Sequence, residues 1–189
     1  MSEHNLIKID EARYQQGVQF AEQVAITNAA EYARRGQDVA DKLKLDNRTC
    51  KLAEWAVYDY ITARERKGRV VSPPDFKIYP AWGKTFDADL TVGDIKVHVK
   101  SQTYESAKQF SESWMFQKKD TLTHAPEDNE FVAFCLVNET TREVELRLFV
   151  KASELVGLYG EAKSPALRAT KTVIYYGQVE HLTKRLVKQ

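Results

Sequence analysis

The stretch 86–102, FDADLTVGDIKVHVKSQ, predicts a tight β-hairpin and constrains the fold more than any other part of the chain. Apolar and polar residues alternate on both sides of Gly93-Asp94. Alternation with a period of two is typical of strands with one covered face. Gly93-Asp94 suits a two-residue turn, because glycine accepts a positive φ without a Cβ clash. Val92 then faces Ile95, and the register of the whole hairpin follows.

This register predicts a compact polar face on the hairpin. Asp89 lies opposite His98, and Asp87 lies opposite Lys100, with the Cβ atoms of each pair about 5 Å apart. Carboxylates and an imidazole beside an ammonium group suit a hard divalent cation that meets an anionic substrate. The alternative interpretation is a strand pair whose polar face is simply solvated, and the pattern alone leaves both open.

Length, composition and cysteine usage indicate an ordinary globular domain. The 189 residues predict one domain with a helical extension, and the net charge of +1 gives no overall basic excess for nucleic acid. No apolar run approaches the roughly 20 residues of a membrane span, and the N-terminus lacks a signal-peptide pattern. Cys50 and Cys135 are isolated within apolar segments, with no C-x-x-C. We therefore expect a cytoplasmic protein with two buried thiols and no membrane association.

Hydrophobic periodicity predicts a mixed α/β domain with a sheet between helices. We divide the chain into an N-terminal helical extension, 1–46, and an α/β core domain, 47–189. The segment 10–45 is either a packing helix or a partner contact. The predicted elements are helices over 10–45 and 47–66, a strand over 76–79, the hairpin, a helix over 106–120, strands over 131–137 and 144–150, a short helix over 152–159, a loop over 160–171 and a strand over 172–176.

Two features of the helix 47–66 have both a structural and a functional interpretation. Glu54 lies at the margin of the apolar face, so it is either a solvated edge residue or an acid that points towards the neighbouring sheet. The sequence RERKGR at 64–69 is a basic end. Its cations either complement the helix dipole or contact a phosphate backbone.

The order of elements, together with Asp89 and His98-Val99-Lys100, resembles the PD-(D/E)XK nuclease superfamily, which has the restriction-endonuclease-like fold. The resemblance covers roughly 48–138. The family pattern has an Asp on the second core strand, an acid-x-Lys on the third, a Glu on the preceding helix and a Gln two residues after the Lys. The matching positions here are Asp89 (or Asp87), His98, Lys100, Glu54 and Gln102. The Pro74-Asp75 pair is too far upstream to count.

His98 departs from the family pattern, because the family usually has Glu or Asp at this position. The change removes a negative charge from the implied metal site. Either Asp87, Asp89 and Glu54 supply the charge while His98 contributes a nitrogen or orients water, or the site has lost catalysis.

The resemblance implies a metal-dependent endonuclease that hydrolyses DNA phosphodiester bonds with Mg²⁺ or Mn²⁺. In this interpretation Asp89 is the principal metal ligand, followed by Asp87, Glu54 and His98. Lys100 would orient or deprotonate the attacking water or stabilise the developing charge, and Gln102 would position Lys100 or touch a phosphate.

DNA is the implied partner, and a homodimer through 10–45 would suit double-strand cleavage. The alternatives are a catalytically inactive nuclease-fold protein that binds nucleic acid or a protein, and a plain α/β interaction domain. The candidate DNA contacts are Lys118, Lys119, Lys163, Arg168 and Lys171, with Tyr104 and Trp114 as stacking groups.

Overall fold

The computed structural model describes residues 5–34, 40–79 and 87–183. Three short 3₁₀ turns join the later strands, at Thr121–Thr123, Ala152–Leu155 and Pro165–Leu167. The helices and strands, in chain order, are β1 (Leu6–Lys8), α1 (Glu11–Thr27), α2 (Ala29–Arg34), α3 (Ala40–Arg64), β2 (Leu90–Val92), β3 (Ile95–Thr103), α4 (Tyr104–Phe110), β4 (Ser113–Gln117), β5 (Glu130–Asn138), β6 (Glu143–Lys151), β7 (Gly160–Glu161), β8 (Lys171–Tyr175) and α5 (Tyr176–Thr183).

A five-stranded mixed sheet with the order β1-β6-β5-β3-β2 forms the centre of the molecule. β3 and β5 are parallel, and the other neighbouring pairs are antiparallel. A parallel pair needs a long crossover, which here runs through α4 and β4. The predicted mixed α/β class, with a sheet flanked by helices, is confirmed.

The predicted hairpin register is confirmed where the two strands pair. Val92 pairs with Ile95, and Leu90 pairs with Val97. Gly93 has a φ of +62°, as the turn requires. The ladder begins only at Leu90, so the predicted cross-strand pair of Asp87 with Lys100 is not formed. The first residue of the predicted hairpin, Phe86, lies outside the described residues.

The two faces of the main sheet are covered by different layers. α3 packs Leu52, Ala53, Ala56 and Val57 against one face, which includes Val97 of β3. A second sheet, β4-β8-β7, and α5 cover the other face in a separate apolar cluster. Side chains alternate along β3, so odd-numbered residues face α3 and even-numbered residues face the second sheet.

The predicted helix over 106–120 is wrong beyond its first part. α4 ends at Phe110, and Ser111 follows with a φ of 69°. Trp114 and Phe116 then alternate with exposed residues along β4, and each is only 1% exposed. The spacing of Phe110 and Trp114 fits a helix, but the period of two from Ser113 onwards is what the chain adopts.

Other differences from the predicted elements concern their ends. The predicted strand over 76–79 is wrong, because these residues form no strand. The segment before the hairpin pairs with β2 only through a single bridge from Val71 to Val92. The predicted helix over 10–45 is interrupted at Asn28, and 35–39 lie outside the described residues. The proposed boundary between 46 and 47 falls within α3. In the described ranges, no helix has the length and apolar character that a membrane span needs.

Candidate functional site

Glu54 is a buried acid on the face of α3 that meets the sheet. It is 4% exposed, so the interpretation of a solvated edge residue is wrong. Lys51, one turn earlier, donates to both carboxylate oxygens of Glu54, at 3.0 and 2.7 Å. Burial, together with the negative charges of Asp89 and Asp75, raises the pKa of Glu54 to about 8, although Lys51 acts in the opposite direction.

Asp89 is fixed at the edge of the main sheet, just before β2 begins. Its Oδ2 accepts a hydrogen bond from the backbone N–H of Val99 at 2.7 Å. β2 is much shorter than β3, so this amide lies beyond the end of the β2–β3 ladder and needs another acceptor. Asp89 therefore leans along the sheet edge towards α3, where its charge affects Glu54.

A cysteine and a serine lie beside these acids. Ser101 Oγ donates to Cys50 Sγ at 3.6 Å, which joins β3 to α3. Cys50 is exposed as a residue, contrary to the prediction, although its sulfur is covered on the side of Ser101. Cys135 is buried as predicted. The helix-side cluster is defined here as Cys50, Lys51, Glu54, Asp89 and Ser101.

The segment before the hairpin contributes a third acid near this cluster. Lys51 Nζ lies 5.4 Å from the ring centroid of Phe76 and 4.9 Å from the ring centroid of Phe20 in α1. Asp75, next to Phe76, accepts hydrogen bonds from Lys77 N and Tyr79 Oη, both at 2.8 Å. Sequence reasoning set Asp75 aside because of its distance along the chain, yet its charge reaches Glu54.

His98, Lys100 and Gln102 occupy the other face of the sheet. His98 Nε2 lies 3.4 Å from Glu130 Oε1 of the neighbouring β5, and both side chains are buried. Lys100 Nζ lies 4.9 Å from the ring centroid of Phe116 in the second sheet. Sequence reasoning missed Glu130, although an acid at the first residue of a buried strand was a signal that could have found it. The far-face cluster is defined here as His98, Lys100, Gln102 and Glu130.

Gln102 connects three elements through its amide. Its Oε1 accepts from Ser113 N at 2.9 Å, and its Nε2 donates to Ser111 O at 3.0 Å and to Ser106 Oγ at 3.3 Å. These bonds satisfy both ends of the amide and hold α4 and the start of β4 against β3. These hydrogen bonds give Gln102 a structural role.

The six predicted site residues therefore fall into three places. The structure brings Asp89 and Glu54 together, and it groups His98, Lys100 and Gln102 on the opposite face. Asp87 is exposed and joins neither group. Its charge acts on Lys96, whose pKa is raised first by a hydrogen bond to Glu127 and also by Glu130 and Asp87.

The predicted metal ligands do not form one cage. Within the described residues, no group of three or more His, Cys, Asp or Glu side chains is arranged to hold a metal ion. Glu54 and Asp89 nevertheless provide carboxylate oxygens of the kind that hard cations prefer. Mg²⁺ typically uses one or two protein carboxylates and completes its shell with water and substrate phosphates, so these two acids fit that mode.

Several predicted DNA contacts have structural partners instead. Trp114 is buried and donates from Nε1 to Cys135 O at 3.0 Å, so the prediction that it stacks on a base is wrong. Tyr104 donates to Glu145 at 2.6 Å, and burial followed by this bond raises its pKa to about 12. Arg168 donates to Ala162 O at 3.0 Å. Lys118 and Lys119 are exposed.

Comparison with known proteins identifies no relative. No family model, no curated protein and no solved structure matches this chain. The helix-side and far-face clusters must therefore be interpreted from their own chemistry.

Proposed function

We propose that this protein is a divalent-metal-dependent nuclease that hydrolyses phosphodiester bonds in DNA. The observation that carries the proposal is the state of Glu54, a buried acid whose pKa is raised to about 8 by burial and by Asp89. Strongly shifted pKa values cluster at functional sites. A divalent cation bound between Glu54 and Asp89 would favour the ionised form of Glu54 and offset the negative charge of both carboxylates. A scissile phosphate could then approach the cation.

The order of elements around Glu54 supports a restriction-endonuclease-like fold for this proposal. α3 is followed by the Val71 bridge, β2 and β3, which lie side by side, and then by α4, β4 and β5. This order resembles the helix, three strands, helix and strand of the PD-(D/E)XK pattern, with a single bridge in place of the first strand and with β4, a strand of the second sheet, inserted before β5. In this proposal Asp89 and Glu54 would correspond to the family Asp and helix Glu.

Glu54 and Asp89 are the residues that would hold the cation. A bound Mg²⁺ or Mn²⁺ would polarise the phosphoryl oxygen and lower the pKa of an attacking water. The hydrogen bond from Val99 N fixes Asp89, and Lys51 fixes Glu54, so both acids are positioned before substrate arrives. Such preorganisation lowers the cost of reorganisation in the transition state.

Lys51 is our choice for the ammonium group that stabilises the developing negative charge. It lies on the same face as Glu54 and Asp89, whereas Lys100 lies beside Phe116 on the other face. The resemblance assigns this role to Lys100. The geometry favours Lys51, because the helix already places it within 2.7 Å of the acid.

The second candidate is a nuclease-fold protein that binds nucleic acid without cutting it. The Lys51–Glu54 ion pair favours this candidate, since a lysine that permanently neutralises Glu54 would keep a cation out. His98, in place of the usual family acid, favours it as well. The two candidates differ in whether divalent metal binds near Asp89.

Cleavage of plasmid DNA with Mg²⁺ or Mn²⁺ tests the proposal directly. We expect the wild-type protein to nick or linearise the plasmid only with metal present. Asp89→Asn should reduce the rate about 10²-fold or more, because the variant keeps an acceptor for Val99 N but loses the charge. Asp87→Asn is the matched control and should cut normally. Metal-independent cutting, or equal loss in both variants, would contradict the assignment.

The Cys50 thiol gives a second measurement that does not depend on activity. Burial of the sulfur raises the pKa of this thiol to about 11; the hydrogen bond from Ser101 acts in the opposite direction, and the charges of Glu54 and Asp89 add to the increase. A cation bound at the two acids should favour the thiolate and speed its reaction with a disulfide reagent. Cys135 is fully buried and should stay silent. Unchanged reactivity with saturating Mg²⁺ and Mn²⁺ would favour the non-cleaving candidate.

A further inference from the structure

A cavity of about 180 Å³ lies on the helix side of the main sheet, at the end of α3. Its floor comes from Val97, Phe131 and Phe149 on three adjacent strands. Phe131 and Phe149 are stacked at 15°, with ring centroids 5.6 Å apart, and Tyr60 lies 6.4 Å from Phe149. An apolar cavity of about 150 Å³ can hold a benzene ring, so this one, which is open to solvent, has room for a planar ring with the rest of the ligand outside it.

The rim of the cavity carries a cation with spare donors. Arg64 lies over the Tyr60 ring at 3.8 Å and donates one bond to Tyr60 O at 3.3 Å. Among the described residues, no carboxylate forms an ion pair with Arg64. A guanidinium group has five N–H donors in a fork that matches a phosphate, so most of its donors remain available.

A guanidinium–carboxylate pair forms the polar part of the wall. Arg69 binds Glu65 with distances of 2.6 and 2.9 Å, and the Glu65 side chain is only 8% exposed. Glu65 is therefore already satisfied by Arg69, but the pair uses only two of the five N–H donors of the guanidinium group. The polar edge of a nucleobase can accept from the remaining donors, which an acyl chain cannot do.

We infer that this cavity binds a single nucleotide, with the base against the aromatic floor and the phosphate at Arg64. Aromatic walls stack on any base, and the arginine supplies charge complementarity. The cavity lies about ten residues along α3 from Glu54, or about 15 Å at the rise of a helix. Nucleotide binding here is distinct from hydrolysis at Glu54 and Asp89, and it needs no metal.

Calorimetric titration of the full chain with dAMP in the presence of EDTA tests this inference. We expect saturable binding of dAMP, and weaker binding of deoxyadenosine and of deoxyribose 5-phosphate. Arg64→Gln should weaken dAMP binding about tenfold, as expected for loss of a charged hydrogen bond. It should leave deoxyadenosine binding unchanged. Arg66→Gln, an exposed neighbour outside the cavity lining, is the matched control and should bind dAMP normally.

A filled cavity provides a second variant. Ile95→Trp, at the half-buried start of β3, should abolish binding of both dAMP and deoxyadenosine while thermal unfolding stays cooperative. If Ile95→Trp does not fold, the Arg64→Gln comparison still decides the question. No saturable binding of dAMP, equal loss in Arg64→Gln and Arg66→Gln, or tighter binding of phenylacetate than of dAMP would overturn the inference. Asp89→Asn should retain dAMP binding, so failure of the nuclease proposal can be told apart.

Discussion

The two faces of the main sheet hold their charged groups in different ways. On the far face each buried polar group has a matched partner, as His98 has Glu130 and Gln102 has backbone groups on both sides of its amide. On the helix side Glu54 and Asp89 are near one another, with Lys51 bound to Glu54. The helix side therefore places two acids around one lysine, and burial together with Asp89 raises the pKa of Glu54. Matched pairs are typical of structural networks, whereas acids with strongly shifted pKa values cluster at functional sites.

The largest effect that we expect from this difference is a pH dependence of stability caused by Glu54. Its pKa is about 8 in the folded protein, against 4.5 as the ordinary value. Between these values the folded state binds more protons than the unfolded state, so the free energy of unfolding falls as the pH rises. The slope is at most about 1.4 kcal/mol per pH unit, which gives a total on the order of 5 kcal/mol between the two pKa values. The stabilising contribution of Glu54 is complete below its ordinary pKa of 4.5 and is lost once the pH rises above its folded-state pKa of about 8.

Urea denaturation of wild type and Glu54→Gln from about pH 5 to about pH 8 measures this slope. Glu54→Gln should be less sensitive to pH and more stable than wild type at the alkaline end, because it removes the buried charge. Glu22→Gln, at an exposed position of α1, is the control and should keep the wild-type slope. Parallel pH profiles for wild type and Glu54→Gln would show that the helix side is as well compensated as the far face.

A smaller effect is expected on the far face, where Gln102→Leu removes a satisfied amide. Ser113 N would lose its partner, whereas Ser111 O would keep the hydrogen bond from Ser113 Oγ, and an unsatisfied buried group costs about 1–3 kcal/mol. We expect a lower midpoint of thermal unfolding, with no change in the pH dependence that Glu54 causes. Gln109→Leu, on the exposed side of α4, should leave the midpoint almost unchanged. A pH-dependent effect of Gln102→Leu would mean that the two faces are coupled.

The hairpin register could be predicted from the sequence because its turn and its alternation agree. Val92 pairs with Ile95 as expected. The same period of two determines which face of the sheet each residue of β3 occupies, and it places His98 and Lys100 on the far face. The alternation does not show at which residue β2 begins. Because β2 begins only at Leu90, Asp89 leaves the ladder and binds Val99 N instead of facing His98.

The sequence could have marked Glu130 as an unusual acid, but which distant residue it contacts was beyond the reach of sequence reasoning. Glu130 meets His98 only because β5 is parallel to β3, and Asp75 reaches Glu54 only because its segment returns across α3. Glu54 itself was a candidate from its place on the helix. Its burial could not be decided from spacing, since a residue at the margin of an apolar face is buried only if a neighbouring segment covers it.

The smallest effect is expected for Lys100→Met, and it sharpens the contrast between the two faces most directly. Lys100 is half-buried beside Phe116, and methionine can keep that contact, so the free energy of unfolding should change by no more than about 0.5 kcal/mol. Metal-dependent cleavage should also be retained, whereas Lys51→Met should lose it. Cleavage rates of the two variants on plasmid DNA decide which lysine acts in cleavage, and circular dichroism confirms that both variants are folded. Loss of cleavage in a folded Lys100→Met, with cleavage kept in Lys51→Met, would transfer the active site to the far face. His98 and Glu130 would then be the groups that replace the family acid.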